Sequence, residues 1–297
     1  MIDFLHIYQP LLDLFLINAG FALSQYIVLR AGVFSIATVG LVAIGAYVGA
    51  ILMTRYGVGI WVAAPASMLG GMGVGLVLSV PLARLRGPYQ AIATLAFVQI
   101  VASVALYAES LTGGAAGLGN IPKQVSTTGL VLCLAAAVYV LLCLNRTRLG
   151  RIYDALSQDE TVAGSFGIRV SVYHALAFAL SGAIAGLFGA LQAGYIYSIA
   201  PQQYGFGLLA TTLAAVILGG RRAVWGPLIG AAMMTFLPEI SRPLAEHRLM
   251  AVGGLLVVVV IFMPRGIYEG VAALLRRSHA PAGQVAGAPK LKDDAAA

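Results

Sequence analysis

Apolar residues in this chain follow neither the alternation of a half-buried strand nor the one-sided stripe of a soluble helix. They fill stretches such as "GLVLCLAAAVYVLLCL" on every face, the pattern of a helix surrounded by apolar material. Charge-free runs cover residues 31–54, 56–83, 87–108, 124–145, 170–220, 223–238 and 249–264. A bilayer core about 30 Å thick takes roughly 20 apolar residues per helix, so the 51-residue run from 170 to 220 must hold at least two crossings. A transmembrane barrel, built from short strands of alternating polarity, is excluded by the same stretches. The segmentation predicts nine helices, at 11–29, 33–53, 59–80, 89–107, 128–144, 173–193, 207–219, 224–238 and 249–263, with eight or ten also compatible. The expected fold is therefore an all-α polytopic membrane protein. A single transmembrane domain is expected over residues 1–277, followed by a disordered tail over 278–297, rich in Ala, Gly, Pro and Lys.

Charge orients this arrangement. Only 10% of the 297 residues are charged. Alternating the predicted loops across the membrane collects Arg30, Arg84, Arg86, Arg146, Arg148, Arg151, Arg169, Arg221, Arg222, Arg265, Arg276, Arg277, Lys290 and Lys292 on one side, 14 of the 18 positive residues. Arg55, Lys123, Arg242 and Arg248 fall on the other. The positive-inside rule puts the first side in the cytoplasm, with the C-terminus there and the N-terminus outside. The net charge of +7 then follows from topology beside an anionic leaflet and calls for membrane lipid rather than nucleic acid. No Lys or Arg precedes Arg30, so the basic n-region of a cleavable leader is missing and the first apolar segment reads as a permanent helix. Cys133 and Cys143, ten residues apart on one helix, are too distant to bridge and read as small core residues.

Several chemistries are absent. The lysines, Lys123, Lys290 and Lys292, follow no glycine-rich loop of P-loop form, and no His/Cys cluster has metal-ligand spacing, so no cofactor is expected. The predicted spans carry no acid or base apart from Asp13 near a helix end, with His174 at a boundary. Ion-driven carriers place such groups at membrane depth. Uphill transport would thus need a separate nucleotide-binding subunit, while a stand-alone channel, or a carrier with Na⁺ held by uncharged oxygens, stays open. Glycines recur at i and i+4 in Gly45/Gly49, Gly71/Gly75, Gly182/Gly186 and Gly226/Gly230, the spacing of close helix packing in membranes. Among uncharged polar groups, Thr38, Thr94, Gln99 and Ser103 are candidates to line a pathway, Gln99 foremost because its amide is the costliest to leave in lipid.

One segment is out of character: "NRTRLGRIYDALSQDETVAGSFGIRV", at 145–170, holds four arginines and three acids. Ser157 and Glu160 have capping-box spacing and Gly167 stands where a helix would stop. The expectation is a short helix over 158–166, preceded by another over 149–156. Such a helix suits a groove in a partner, or else lies along the membrane with its arginines setting orientation. The residues leave both readings open.

"DETVAGSFGI" resembles the EAA-type loop of permease subunits in bacterial ATP-binding-cassette importers. "RLRGPYQAIATLAF", "SLTGGAAGLGNIP", "LAFALSGAIAGLFGALQAGY", "LGGRRAVWGPLIGAA" and "FMPRGI" are similar, in order and spacing, to the branched-chain amino-acid permease family. The resemblance covers roughly residues 30–270 and implies a multi-pass protein of the bacterial inner membrane. It would be one of two homologous permease subunits, driven by two cytoplasmic ATP-binding subunits and supplied by a periplasmic solute-binding protein. It further implies that the loop over 145–172 couples to the ATPase, through Asp159, Glu160, Ala163 and Gly167. There are departures. "GVFSIATVGL" stands with no histidine where the family often has a Gly-x-x-Ser-Leu-Gly-His run, Ala116 replaces a frequent asparagine, Gln202 stands where an acid is common, and Arg221 and Arg222 replace small or apolar residues. Thr161 and Val162 also intervene between Glu160 and Ala163. These leave urea, short amides or other small solutes open as alternatives to leucine, isoleucine and valine.

Overall fold

The computed structural model describes residues 2–240 together with 253, 254, 266–268 and 270. Among these the chain forms α1 (Ile2–Arg30), α2 (Thr38–Arg55), α3 (Ile60–Leu82), α4 (Pro88–Tyr107), α5 (Glu109–Thr112), α6 (Thr127–Arg146), α7 (Arg148–Leu156), α8 (Glu160–Ser165), α9 (Val170–Tyr195), α10 (Phe206–Gly219) and α11 (Trp225–Ile240). The described residues contain no strand, only an isolated antiparallel bridge between Leu118 and Ile199.

Six of these helices are long and apolar enough to cross a membrane: Tyr8–Arg30 of α1, and α2, α3, α4, α6 and α9. Each of the first eight predicted segments contains a helix, though the second, predicted from 33, becomes helical only at Thr38, and six rather than nine reach spanning length among the described residues. Helix α10, with 14 residues, rises only about 21 Å, short of the bilayer core, and α11 is described as far as Ile240. Gly219 lies on Gly226 and Ala215 on Gly230, so these two helices form a tight antiparallel hairpin. The predicted helix 249–263 and the tail 278–297 lie outside the described residues. Of the two cysteines, Cys133 is half-buried and Cys143 exposed, a correction to the core reading. It follows from α6, whose apolar surface faces mostly outward.

Glycine sets the centre of the bundle. Gly45 faces Gly186 and Gly49 faces Ala190, so α2 and α9 run parallel. Gly71 faces Gly182 and Gly75 faces Phe178, so α3 runs antiparallel to α9. A methyl built on Gly186 would overlap the carbonyl oxygen of Ser67, and one on Gly182 that of Gly71. Backbone meets backbone here, which only glycine allows.

The two ends of the bundle differ. At one, the end of α1, the α7–α8 segment and the α10–α11 turn converge, so that Arg30, Asp154, Ser157, Arg221 and Arg222 line one cavity. Loops predicted to share a side therefore share an end. At the other, Leu118 and Ile199 exchange backbone hydrogen bonds of 2.9 Å and Ile121 N–H donates to the Tyr197 carbonyl at 3.0 Å. Gln202 donates its amide to the Ala115 carbonyl at 3.3 Å.

Between α1 and α2 the chain folds back into the bundle. Gln25 donates to the Ser35 carbonyl at 2.6 Å and accepts from Thr38 Oγ1 at 2.5 Å. Ile36 N–H donates to Thr94 Oγ1 at 3.0 Å, and that hydroxyl donates to the Gln90 carbonyl at 2.9 Å. Buried polar backbone must find partners, and these side chains supply them for a segment without helical bonds of its own.

Candidate functional site

The charged segment folds into two short helices lying against the end of the bundle. Thr147 caps α7 by accepting from Leu149 N–H at 3.3 Å, and α7 turns Gly150, Tyr153 and Leu156 inward. Burial pushes the Tyr153 hydroxyl well above its ordinary range, so this phenol stays neutral. Arg30 fixes the outer side of α7. Its guanidinium reaches the Asp154 carboxylate at 3.0, 3.2 and 3.3 Å and donates to Tyr26 at 2.7 Å, joining α7 to α1.

The cap of α8 differs from the expected box. Ser157 closes α7 and donates to the Asp154 carbonyl at 2.9 Å. The N-cap is Asp159, whose Oδ1 accepts from Thr161 N–H at 2.7 Å and Val162 N–H at 3.1 Å. Asp caps as well as Ser, and the extended backbone at Asp159, φ −158°, aims its carboxylate at those amides. The amides of Val162 and Thr161 hold the Asp159 carboxyl below the usual carboxylate range. The helix is shorter than 158–166 but stops as expected. Gly167 adopts φ +81°, with Gly167 N–H bonded to the Gly164 carbonyl at 3.0 Å and Ile168 N–H to that of Ala163 at 3.3 Å, the paired bonds of a Schellman stop.

The four residues singled out in this loop all build or seat α8. Asp159 starts the helix and Gly167 ends it. Ala163 is buried, and Glu160 places Oε1 3.8 Å from Nε2 of the buried His174 on α9. The exposed apolar residues here are Val162 of α8, 53% exposed, and its C-cap Phe166, 81% exposed. Sequence reasoning passed over this pair, although an i, i+4 apolar couple within a charged loop was a signal for it.

The pathway candidates divide. Thr38 and Thr94 are buried with their hydroxyls engaged in the Gln25 and Gln90 bonds. Gln99 and Ser103 lie on the outward face of α4, alongside exposed Ile92, Ile100, Val104 and Tyr107. Asp13, expected near a helix end, sits well inside α1 because that helix begins at Ile2, and it is buried. No cluster of three or more His, Cys, Asp or Glu that could hold a metal occurs among the described residues.

Residues 11–263 match the family described as branched-chain amino acid transport system / permease component. The high-affinity branched-chain amino acid transport system permease protein LivM of Salmonella typhimurium is 31% identical over 285 residues, covering 84% of this chain. The chain spans 65% of LivM's own length. The ribose import permease protein RbsC of Escherichia coli K12 is 33% identical over 130 residues, 41% of this chain and 39% of RbsC. LivH of the same strain, also a high-affinity branched-chain amino acid transport system permease protein, is 26% identical over 153 residues, 50% of this chain and 49% of LivH. No solved structure matches the chain. Six apolar helices of spanning length and a family match over most of the sequence identify a multi-pass membrane protein that belongs to the permease component family of branched-chain amino acid transport systems.

Proposed function

We propose that this chain is the transmembrane permease subunit of an ATP-binding-cassette importer in the bacterial inner membrane. Its cargo would be branched-chain amino acids or a similar small polar solute delivered by a periplasmic binding protein. The carrying observation is α8: a helix capped at Asp159, stopped at Gly167 and seated through the buried Ala163, with Val162 and Phe166 exposed. A surface connector has no need of that construction, whereas an apolar couple on a preorganised helix suits a groove in a partner. The convergence of Arg30, Arg221 and Arg222 with this segment supports a cytoplasmic location for it. Two ATP-binding subunits would hydrolyse the nucleotide there, and this chain would perform no catalysis itself. A second, homologous permease subunit would pack against the exposed faces of α3, α4 and α6, bringing Gln99 and Ser103 to the shared boundary as pathway-lining groups.

The buried carboxyl of Asp13 favours a second reading, an ion-driven carrier working alone. One experiment separates the two. Proteoliposomes containing this chain, its companion permease, the ATPases and the binding protein are assayed for uptake of leucine, isoleucine, valine and urea. Uptake is expected to require ATP. Glu160→Lys is expected to insert normally, and to abolish ATP-driven uptake by placing a cation against His174. Wild-type uptake by this variant would sink the coupling assignment, and ion-driven flux through the chain alone would sink the importer.

A further inference from the structure

The cavity at the arginine-rich end has a volume of about 400 Å³ and is lined by Leu29, Arg30, Asp154, Gln158, Arg221 and Arg222, among others. Among the described residues its lining carries three arginines and one acid. Arg30 is engaged by Asp154 and Tyr26. Arg221 and Arg222 are exposed and form no ion pair with any acid among the described residues. Two guanidiniums that no described acid engages form, at a concave site, a fork for one anion with several acceptor oxygens.

The position of the cavity selects the anion. Leu29 and Arg30 are the last residues of the Tyr8–Arg30 span, so the cavity opens at the level where hydrocarbon gives way to headgroups. Trp225 opens α11 three residues beyond Arg222 and is 48% exposed, the placement of an interfacial aromatic anchor. Basic pockets between membrane helices at this depth accept phospholipid headgroups.

We propose that this cavity binds the phosphodiester headgroup of an anionic phospholipid, with Arg221 and Arg222 donating to its non-bridging oxygens. The Gln158 amide nitrogen donates to the Asp154 carbonyl at 3.3 Å, which leaves its oxygen to accept from a glycerol hydroxyl. Leu29, in the cavity wall, meets the first carbons of the acyl chains. A lipid held in this way joins the α10–α11 hairpin to the α7–α8 segment, whichever solute crosses the membrane.

The test uses the full-length chain purified in a neutral detergent and examined by native mass spectrometry after titration with phosphatidylglycerol, phosphatidylcholine or inorganic phosphate. One phosphatidylglycerol per chain is expected to be retained in preference to phosphatidylcholine. Each of R221Q and R222Q should weaken that retention about fivefold, and the double variant roughly thirtyfold. R221K/R222K should keep a preference for phosphatidylglycerol, since it preserves the charge. Because both arginines are exposed, the melting temperature should stay at the parent value; if the double variant fails to fold, the two single variants decide. Equal retention of the two lipids, undiminished retention by R221Q and R222Q, or occupancy by millimolar inorganic phosphate without phosphatidylglycerol binding would each overturn the proposal.

Discussion

Replacing Gly186 by alanine tests how the bundle is held together. The added methyl would overlap the Ser67 carbonyl oxygen and lie 3.3 Å from the Gly71 Cα. Both obstacles belong to the backbone of α3, so no side chain can turn aside. The helices must separate, and overpacking of this kind costs about 1–3 kcal/mol. At about 2–4 °C per kcal/mol for a chain of this size, the melting temperature should fall by roughly 3–10 °C. The control is Gly73→Ala, on α3, where the added methyl has no heavy atom within 4 Å. There only helix propensity changes, in alanine's favour by about 0.5–1 kcal/mol, so the melting temperature should hold or rise slightly. Both variants would be unfolded thermally in the same detergent and followed by circular dichroism at 222 nm. The reasoning fails if Gly186→Ala melts within about 1 °C of the parent, or if both substitutions lower stability equally.

Two further outcomes concern α8. Phe166 is 81% exposed; of the roughly 200 Å² a phenylalanine offers, that share is worth at most about 4 kcal/mol when covered. Phe166→Ala should therefore leave the chain's own melting temperature unchanged and weaken co-purification of the ATP-binding subunit about 10–100-fold, and undiminished co-purification would remove Phe166 from the docking surface. Asp159 carries a depressed carboxyl pKa, so its cap is complete above the ordinary carboxylate range and is lost as pH falls through the depressed value. Hydrogen exchange at Thr161 and Val162 should be protected at neutral pH and released in Asp159→Ala, with Asp159→Asn close to the parent because an amide oxygen also caps; equal exchange in parent and alanine variant would show that the cap does not hold α8.

The spans were legible because lipid demands apolarity on every face, and the glycine pairs were legible because i, i+4 spacing has few other uses. That α10 would fall short of a full crossing was harder to see, since apolarity identifies membrane depth and not how much of it is traversed. The division among Thr38, Thr94, Gln99 and Ser103 was hidden for a related reason. On α4 the apolar residues surround the helix, and only the neighbours on α2 and in the segment before it decide that Thr94 points in and Gln99 out. At the start of α8 two cap-competent side chains, Ser157 and Asp159, stand two residues apart, and the extended backbone at Asp159 selects the second. Val162 and Phe166 gained meaning only when Ala163 was seen to be buried and the two apolar side chains exposed, because an apolar residue in a charged loop has no defined direction until its helix is seated.

The contact of α9 with α2 and α3 has a mechanical consequence. Where backbones touch through Gly45, Gly71, Gly182 and Gly186, no layer of rotamers lies between the helices to absorb displacement. These three helices move as one stiff block. The block has a handle: α8 is joined to the start of α9 by the few residues from Phe166 to Arg169 and leans on it again through Glu160 and His174. Force applied at α8 is therefore transmitted along the full length of α9 with little loss to local deformation, and emerges at the far end of the bundle, where the loops around Leu118 and Ile199 are bonded together.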